Sequence, residues 1–370
     1  MKVVKQDYNN CLVNVSNSIL KHYGVKTFHN SLKELDEYLE KDYKNVVLIL
    51  YDGFGSKLIE RNIGSKSFLA KHKIKDITSV FPATTTAATT SIVTGLTPIE
   101  HCWLGWNLYI ASIDKTVTMY WNVLKGTDIK VAEYNVAQRE FPYTTIFELI
   151  NKKDEVSAYC ISPYEGVKYD DNNIDEMYSK IKELCDNNEK TFIYAYCAEP
   201  DHFMHEVGTT DERVIELMKT LDNKTEKLCD SLEDALIIIV ADHGHMTLGE
   251  YVFLDDYPIL SNMLIRETSL EPRATNFFVK KKMLKAFKKE FDKLFSNDFT
   301  LLTKQEVIDK KLFGDGVPHD KFESCLGDYI ALAISDKAFV DNHESTQHKG
   351  VHAGVTEYEV MIPLIIVDKK

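Results

Sequence analysis

Two runs, Val46-Val-Leu-Ile-Leu-Tyr51 and Ala235-Leu-Ile-Ile-Ile-Val-Ala241, restrict the fold more than any other feature of the chain. Both are of strand length and apolar without alternation, and each is followed at once by an aspartate, Asp52 or Asp242. Continuous apolarity belongs to a strand covered on both faces, as in a parallel sheet. Similar runs lie at 156–161, 191–197 and 362–367. Helical patterns separate them at 141–150, 172–187 and about 211–232, where Val214, Leu217, Met218, Leu221 and Leu228 share a face. Strands alternating with helices predict an α/β fold with a mainly parallel central sheet.

Two further helices are expected near the N-terminus. One covers 11–23; the other opens at the capping box Ser31-Leu-Lys-Glu34. The stretch 255–345 lacks the strand–helix rhythm. It holds a lysine-rich helix at 281–295 and strand-like runs at 274–280 and 328–334, and it reads as an inserted α+β cap subdomain. The expected organisation is a helical lead-in at 1–44 packed on the core, a catalytic core at 45–254 and 346–370, and the cap at 255–345.

Open α/β sheets bind ligands beyond the carboxyl ends of their strands. Asp52 follows the first run, Asp201 and His205 follow 191–197, and Asp242-His243 follows 235–241, so these groups converge on one edge. His352 precedes the run at 362–367. Carboxylate and imidazole together suit zinc or manganese. Asp52-Gly53 taken alone is a turn, and Asp201 to His205 taken alone is a capped helix with surface histidines. Asp242-His-Gly-His245 is the sharpest signal, because polar residues at a buried strand end are costly without a task. Phe81-Pro-Ala-Thr-Thr-Thr adds a stiff corner and then a small-residue helix ending at Gly95. A threonine there has its hydroxyl at a helix N-terminus, where free N–H groups favour negative charge.

With 44 Lys and Arg against 57 Asp and Glu, the net charge of −13 and the lack of a basic stripe argue against a nucleic-acid polymer as partner. No apolar leader opens the chain and no run is long enough to cross a membrane. Seven scattered cysteines without a Cys-x-x-Cys pair read as reduced thiols of a cytoplasmic protein. The oligomeric state is left open.

Asp52, Phe81-Pro-x-x-Thr85, Thr94-Gly-Leu-x-Pro98, Asp201-x-x-x-His205, Asp242-His243 and His352 occur in the order that resembles the alkaline phosphatase superfamily. Within it they are most similar to the type I phosphodiesterase/nucleotide pyrophosphatase branch and its relative phosphonoacetate hydrolase. The resemblance covers about 45–255 and 346–368. It implies an alkaline-phosphatase-like α/β/α sandwich and two divalent metal ions, zinc first and manganese second. Asp201, His205 and His352 would hold one ion; Asp52, Asp242, His243 and Thr85 would hold the other. Thr85 would be the nucleophile of a phosphoryl-transfer hydrolase working through a phospho-threonine on a small phosphorylated substrate such as a nucleotide. Thr84 and Thr86 are the alternatives if the register differs.

The branch carries an asparagine 21 residues after the nucleophile; here Trp106 stands there, with Asn107 next to it as the substitute phosphoryl contact. His245 stands where the branch has methionine and is expected to be supporting rather than ligating. Trp103, Trp106, Tyr109 and Tyr120 suggest an aromatic wall, with Trp106 and Tyr109 as substrate contacts and Trp121 as packing. Arg273 in the cap is the candidate for an anionic substrate. Rival readings are a phosphonoacetate hydrolase-like C–P hydrolase, a phosphomonoesterase and, more remotely, a catalytically idle metal-bound module. A sulfatase is disfavoured by threonine at position 85.

Overall fold

A computed structural model describes residues 1–171 and 173–370. A six-stranded sheet forms the centre, in the order Lys73–Thr78, Met361–Lys369, Ala235–Val240, Asn45–Tyr51, Thr191–Cys197, Ser157–Ile161. The last four are mutually parallel. The two apolar runs take its middle places, and every residue of both strands is buried. Such double burial is what their lack of alternation requires. Helices Ile174–Asp186 and Glu212–Ser231 supply cover, the latter burying Val214, Met218, Leu221 and Leu228.

Register sets the common edge. Tyr51 pairs with Cys197 and Leu50 with Val240, so the strands at 45–51, 191–197 and 235–240 end level. Met361–Lys369 runs antiparallel to both neighbours. It therefore starts at the edge where the parallel strands finish, and the segment carrying His352 reaches that edge from the opposite chain direction.

Helix Leu12–His22 packs beside helix Thr85–Thr94, with Ser16 Oγ donating to the Ile92 carbonyl and Asn17 Nδ2 to that of Gly95. The expected capping box at Ser31 does not form. Helix Lys33–Leu39 starts after Leu32, and the Ser31 hydroxyl donates to Asp36 instead, so Ser31 lies outside the N-cap position.

A second, wholly antiparallel sheet has the order Phe299–Thr303, Tyr329–Ala333, Ala274–Phe277, Ser269–Glu271, Asn107–Ile110, Lys115–Thr118, Val123–Leu124. It recruits 107–124 from the stretch assigned to the core, through a pairing of Leu270 with Asn107. Helix Leu284–Phe295 lays Phe287, Phe291 and Phe295 on this sheet against Phe277, Phe299 and Phe339. The other apolar cluster of this sheet includes Phe81, Trp103 and Phe313, which joins it to the corner before Thr85.

Candidate metal centre and active site

Asp52 follows its strand directly, and its backbone N–H still donates to the Cys197 carbonyl. Gly53 then turns with φ +69°, and a Cβ there would stand 2.9 Å from Asp201 Cβ. Only glycine meets both demands at this point. Its N–H donates to Asp242 Oδ1 over 3.0 Å, as does that of His243 over 2.8 Å. Asp201 opens helix Asp201–Val207, which carries His205 one turn on. Thr85 is the first residue of helix Thr85–Thr94, after the cis Phe81–Pro82 bond. Its Oγ1 lies 3.4 Å from Asp52 Oδ1 and 3.2 Å from His243 Nε2.

The donors form two groups that share Asp201. Asp52, Asp201 and His243 make one, and Asp201, His205, His245 and His352 the other; in each, one ligand atom per residue lies within 4.8 Å of the rest. Asp242 adjoins the first group, with Oδ2 3.3 Å from His243 Nε2. His243, His205 and His352 each place Nδ1 on a backbone carbonyl, of Gly244, Gly350 and Ala83 at 2.9, 2.9 and 3.2 Å. A ring that donates from Nδ1 leaves its Nε2 lone pair for a metal. Asp201 Oδ1, Asp242 Oδ2 and both nitrogens of His245 are buried without a hydrogen-bond partner. Buried polar atoms are costly when unpaired. Two carboxylates with orphaned oxygens, beside Asp52 and among imidazoles, therefore fit divalent cations.

The proton equilibria say the same. Burial, with Asp52 alongside, pushes the Asp242 carboxyl well above its ordinary value. Burial opposes charge on Asp201 also, yet His205 and His245 hold that carboxyl well below the usual range. Burial disfavours the charged His243 ring, but Asp242 and Asp52 bring it up to about 10. His205 is likewise raised to about 9, by Asp201 against its burial. A divalent cation among these carboxylates would supply the same compensation of charge.

The type I phosphodiesterase/nucleotide pyrophosphatase family model matches residues 46–354. The chain belongs to this family. It is accordingly a hydrolase of phosphoester bonds, with the fold of the alkaline phosphatase superfamily. Murine ectonucleotide pyrophosphatase/phosphodiesterase 5 is similar in structure, with TM-score 0.65 and 16% identity over 86% of this chain and 87% of that one. The same murine protein in an inactive threonine-to-alanine form, in complex with AMP, gives TM-score 0.66 and 16% identity over 88% and 87%. Phosphonoacetate hydrolase from Sinorhizobium meliloti 1021, in complex with phosphonoformate, gives 0.62 and 14% over 86% and 89%. No curated protein sequence matches.

Against the family pattern, the residues expected to face the substrate divide. Trp106 stands edge-on to Tyr120 and Trp121, with ring centroids 5.9 and 5.2 Å apart. Trp121, expected to be packing, is 65% exposed. The Tyr120 hydroxyl meets Thr89 Oγ1 at 2.7 Å, and Thr89 donates to the Thr85 carbonyl, so this aromatic shelf is tied to the helix of Thr85. Asn107 accepts from Thr118 Oγ1 within the second sheet. Tyr109 belongs elsewhere: its ring lies against Phe278 and under the Arg266 guanidinium, and its hydroxyl donates to Asp114.

Arg273 corrects the expectation placed on it. It is fully buried, binds both Glu359 oxygens, and donates to the carbonyls of Lys337 and Ser335. No donor face is left for a substrate. Glu359 in turn accepts from the Gly354 N–H, two residues after His352, and its carbonyl accepts from Gly244. The pair thus braces the two loops that carry His352 and His243.

Two residues stand differently from the sequence reading. His245, expected to be supporting, lies inside the second donor group. Glu271 is buried, with its carboxyl raised by burial, and its Oε1 accepts from Thr84 Oγ1 at 2.7 Å and from the Trp106 N–H at 2.6 Å. Nothing in the local sequence marks it, because its partners come from two distant segments.

Proposed function

We propose that the protein is a two-metal phosphodiesterase or nucleotide pyrophosphatase in which Thr85 is the nucleophile. The observation that carries this reading is the seat of Thr85 Oγ1 at the first residue of its helix, between Asp52 Oδ1 and His243 Nε2. Asp52, Asp242, His243 and Thr85 would hold one ion, and Asp201, His205 and His352 the other. The mix of imidazole and carboxylate favours zinc, then manganese. When bound, such a pair supplies charge stabilisation to the attacking and leaving oxygens of an in-line displacement.

The chain's own groups do the rest. The Thr85 hydroxyl points at Asp52 Oδ1, which gives its proton a carboxylate to move toward. The oxygen attacks phosphorus, the bond to the leaving oxygen breaks, and a phospho-threonine forms; water then hydrolyses it and frees Thr85. The free N–H groups of the first helical turn face the charge that develops on the phosphoryl oxygens.

The shelf of Trp106, Tyr120 and Trp121 offers aromatic faces and edges to a base or aryl leaving group, which favours a nucleotide or other aromatic diester. AMP in the murine relative, captured with a threonine replaced, supports both the substrate class and the threonine. The second sheet, including 107–124, then acts as the cap that selects substrates. Seven unpaired cysteines support a reducing compartment.

The test is hydrolysis of bis-p-nitrophenyl phosphate against p-nitrophenyl phosphate with zinc or manganese, for the parent and Thr85→Ala. The diester should be strongly preferred, and turnover should vanish in Thr85→Ala. Preference for the monoester would replace the reading with a phosphomonoesterase. Turnover of neither ester, with cleavage of a phosphonate, would favour C–P hydrolysis. Full activity in Thr85→Ala would remove the nucleophile assignment.

A further inference from the structure

His245 departs from the family pattern, and its setting differs from that of a supporting residue. The ring is fully buried, and neither nitrogen has a hydrogen-bond partner. Nε2 is 3.1 Å from Asp201 Oδ1 but out of line for a hydrogen bond, and that oxygen is itself unpartnered. His205 and His352 set their rings edgewise around it, with centroids 4.8 and 5.4 Å away at 70° and 64°. The ring is pinned from behind: a Cβ on residue 350 would come within 2.5 Å of its Cε1, so Gly350 is the seat of His245 while its carbonyl anchors His205. A buried imidazole without partners leaves its hydrogen-bonding capacity unmet, at a cost in stability. A ligand at the point where Asp201, His205 and His352 converge removes that cost.

We propose that His245 is a metal ligand, completing with Asp201, His205 and His352 a set of four protein donors. The inference rests on the metal reading above. Three imidazoles and one carboxylate make a zinc-type set closed by protein alone. The neighbouring set has one imidazole, two carboxylates and a threonine hydroxyl. The two ions are therefore unequal: the one at His245 is retained, and the one at Thr85 exchanges.

The experiment uses the full chain loaded with zinc and challenged with graded amounts of a chromophoric chelator, with zinc per chain measured by mass spectrometry. Absorption of the cobalt-substituted protein reports coordination. The parent should lose its ions in two stages and show the strong visible absorption of four-coordinate cobalt. His245→Met and His245→Gln should weaken the retained ion by more than about 100-fold, beyond the 10- to 100-fold typical of losing a group that only orients a ligand, and should lose the share of that absorption that belongs to the retained ion. Circular dichroism of both variants checks that they fold. The glutamine amide can still hydrogen-bond to Asp201, so an affinity within about 100-fold of the parent and an intact cobalt spectrum in His245→Gln would overturn the proposal. Two ions released together from the parent would also overturn it. A parent that binds no zinc would fail the two-metal reading as a whole, a result distinct from both.

Discussion

At the scale of single residues, the site is organised by where each polar atom finds a partner. Asp242 spends one oxygen on the N–H groups of Gly53 and His243 and keeps the other free; Asp52 receives the Tyr196 hydroxyl on Oδ2 at 2.6 Å and turns Oδ1 to Thr85. In this way each carboxylate is oriented by the protein on one side and left open on the other. Glu271 performs a similar service for the corner before Thr85. Glu271→Ala strands the Thr84 hydroxyl and the Trp106 N–H, and should cost about 1–3 kcal/mol in urea unfolding. Steady-state kinetics should also show a lower kcat, because Thr84 is the N-cap of the helix that presents Thr85. Glu271→Gln retains an acceptor for both and should lie close to the parent. An alanine variant with parental stability and kcat would show that this bracing is unnecessary.

Elements meet through a few tight crossings. The turn after Asn45–Tyr51 passes Asp201 so closely that Gly53→Ala combines a left-handed φ with a collision. It should cost about 1–3 kcal/mol and weaken the proposed zinc binding, since Gly53 also orients Asp242. A thermal melt and a chelator titration would check both effects. The Arg273–Glu359 pair joins the second sheet to the loops of His352 and His243, and both side chains have no exposure. Removing one partner of a buried pair strands the other charge, so Arg273→Met should lose about 3–5 kcal/mol, and Arg273→Met with Glu359→Leu should recover much of it. Burial disfavours the Glu359 carboxylate, but Arg273 holds its carboxyl below the ordinary 4.5. A depressed carboxylate contributes stability that is complete above its unfolded value and is lost as pH falls through the folded one. The parent should thus keep this contribution down to about pH 4.5, whereas in Arg273→Met, with burial no longer offset, acid sensitivity should begin at higher pH. Parallel acid titrations of stability would reveal any failure of that ordering.

Across the whole molecule, two sheets with separate apolar cores meet at the corner before Thr85. The donor groups lie at the carboxyl edge of the first sheet, so ions held there would link metal binding to core stability. Without the proposed ions, Asp52, Asp201 and Asp242 stand close together and buried. Chelation should therefore lower the melting temperature and zinc should restore it. Saturation at about 1,000 times the Kd is worth about 4 kcal/mol per site. Sodium chloride at matched ionic strength should not substitute, and an unchanged melting temperature on chelation would refute the link. Among the described residues, no helix is long and apolar enough to cross a membrane.

What the sequence by itself determined is the part fixed by local pattern. Unbroken apolarity at 46–51 and 235–241 specified doubly covered parallel strands, and a carboxylate at the end of a parallel strand has one edge to go to. Asp52, Asp201 and Asp242 were legible for that reason. Only the tertiary structure decided what depends on partners distant in the chain. Met361–Lys369 had to run antiparallel for His352 to arrive at the same edge. Arg273 looked free because the acid that consumes it stands 86 residues away. The segment 107–124 joined the second sheet by pairing at Leu270, and His245 became part of a donor group because Gly350 left room for its ring. Periodicity reports which face of an element is covered, but not what covers it, and the chemistry of this site depends on the covering residues.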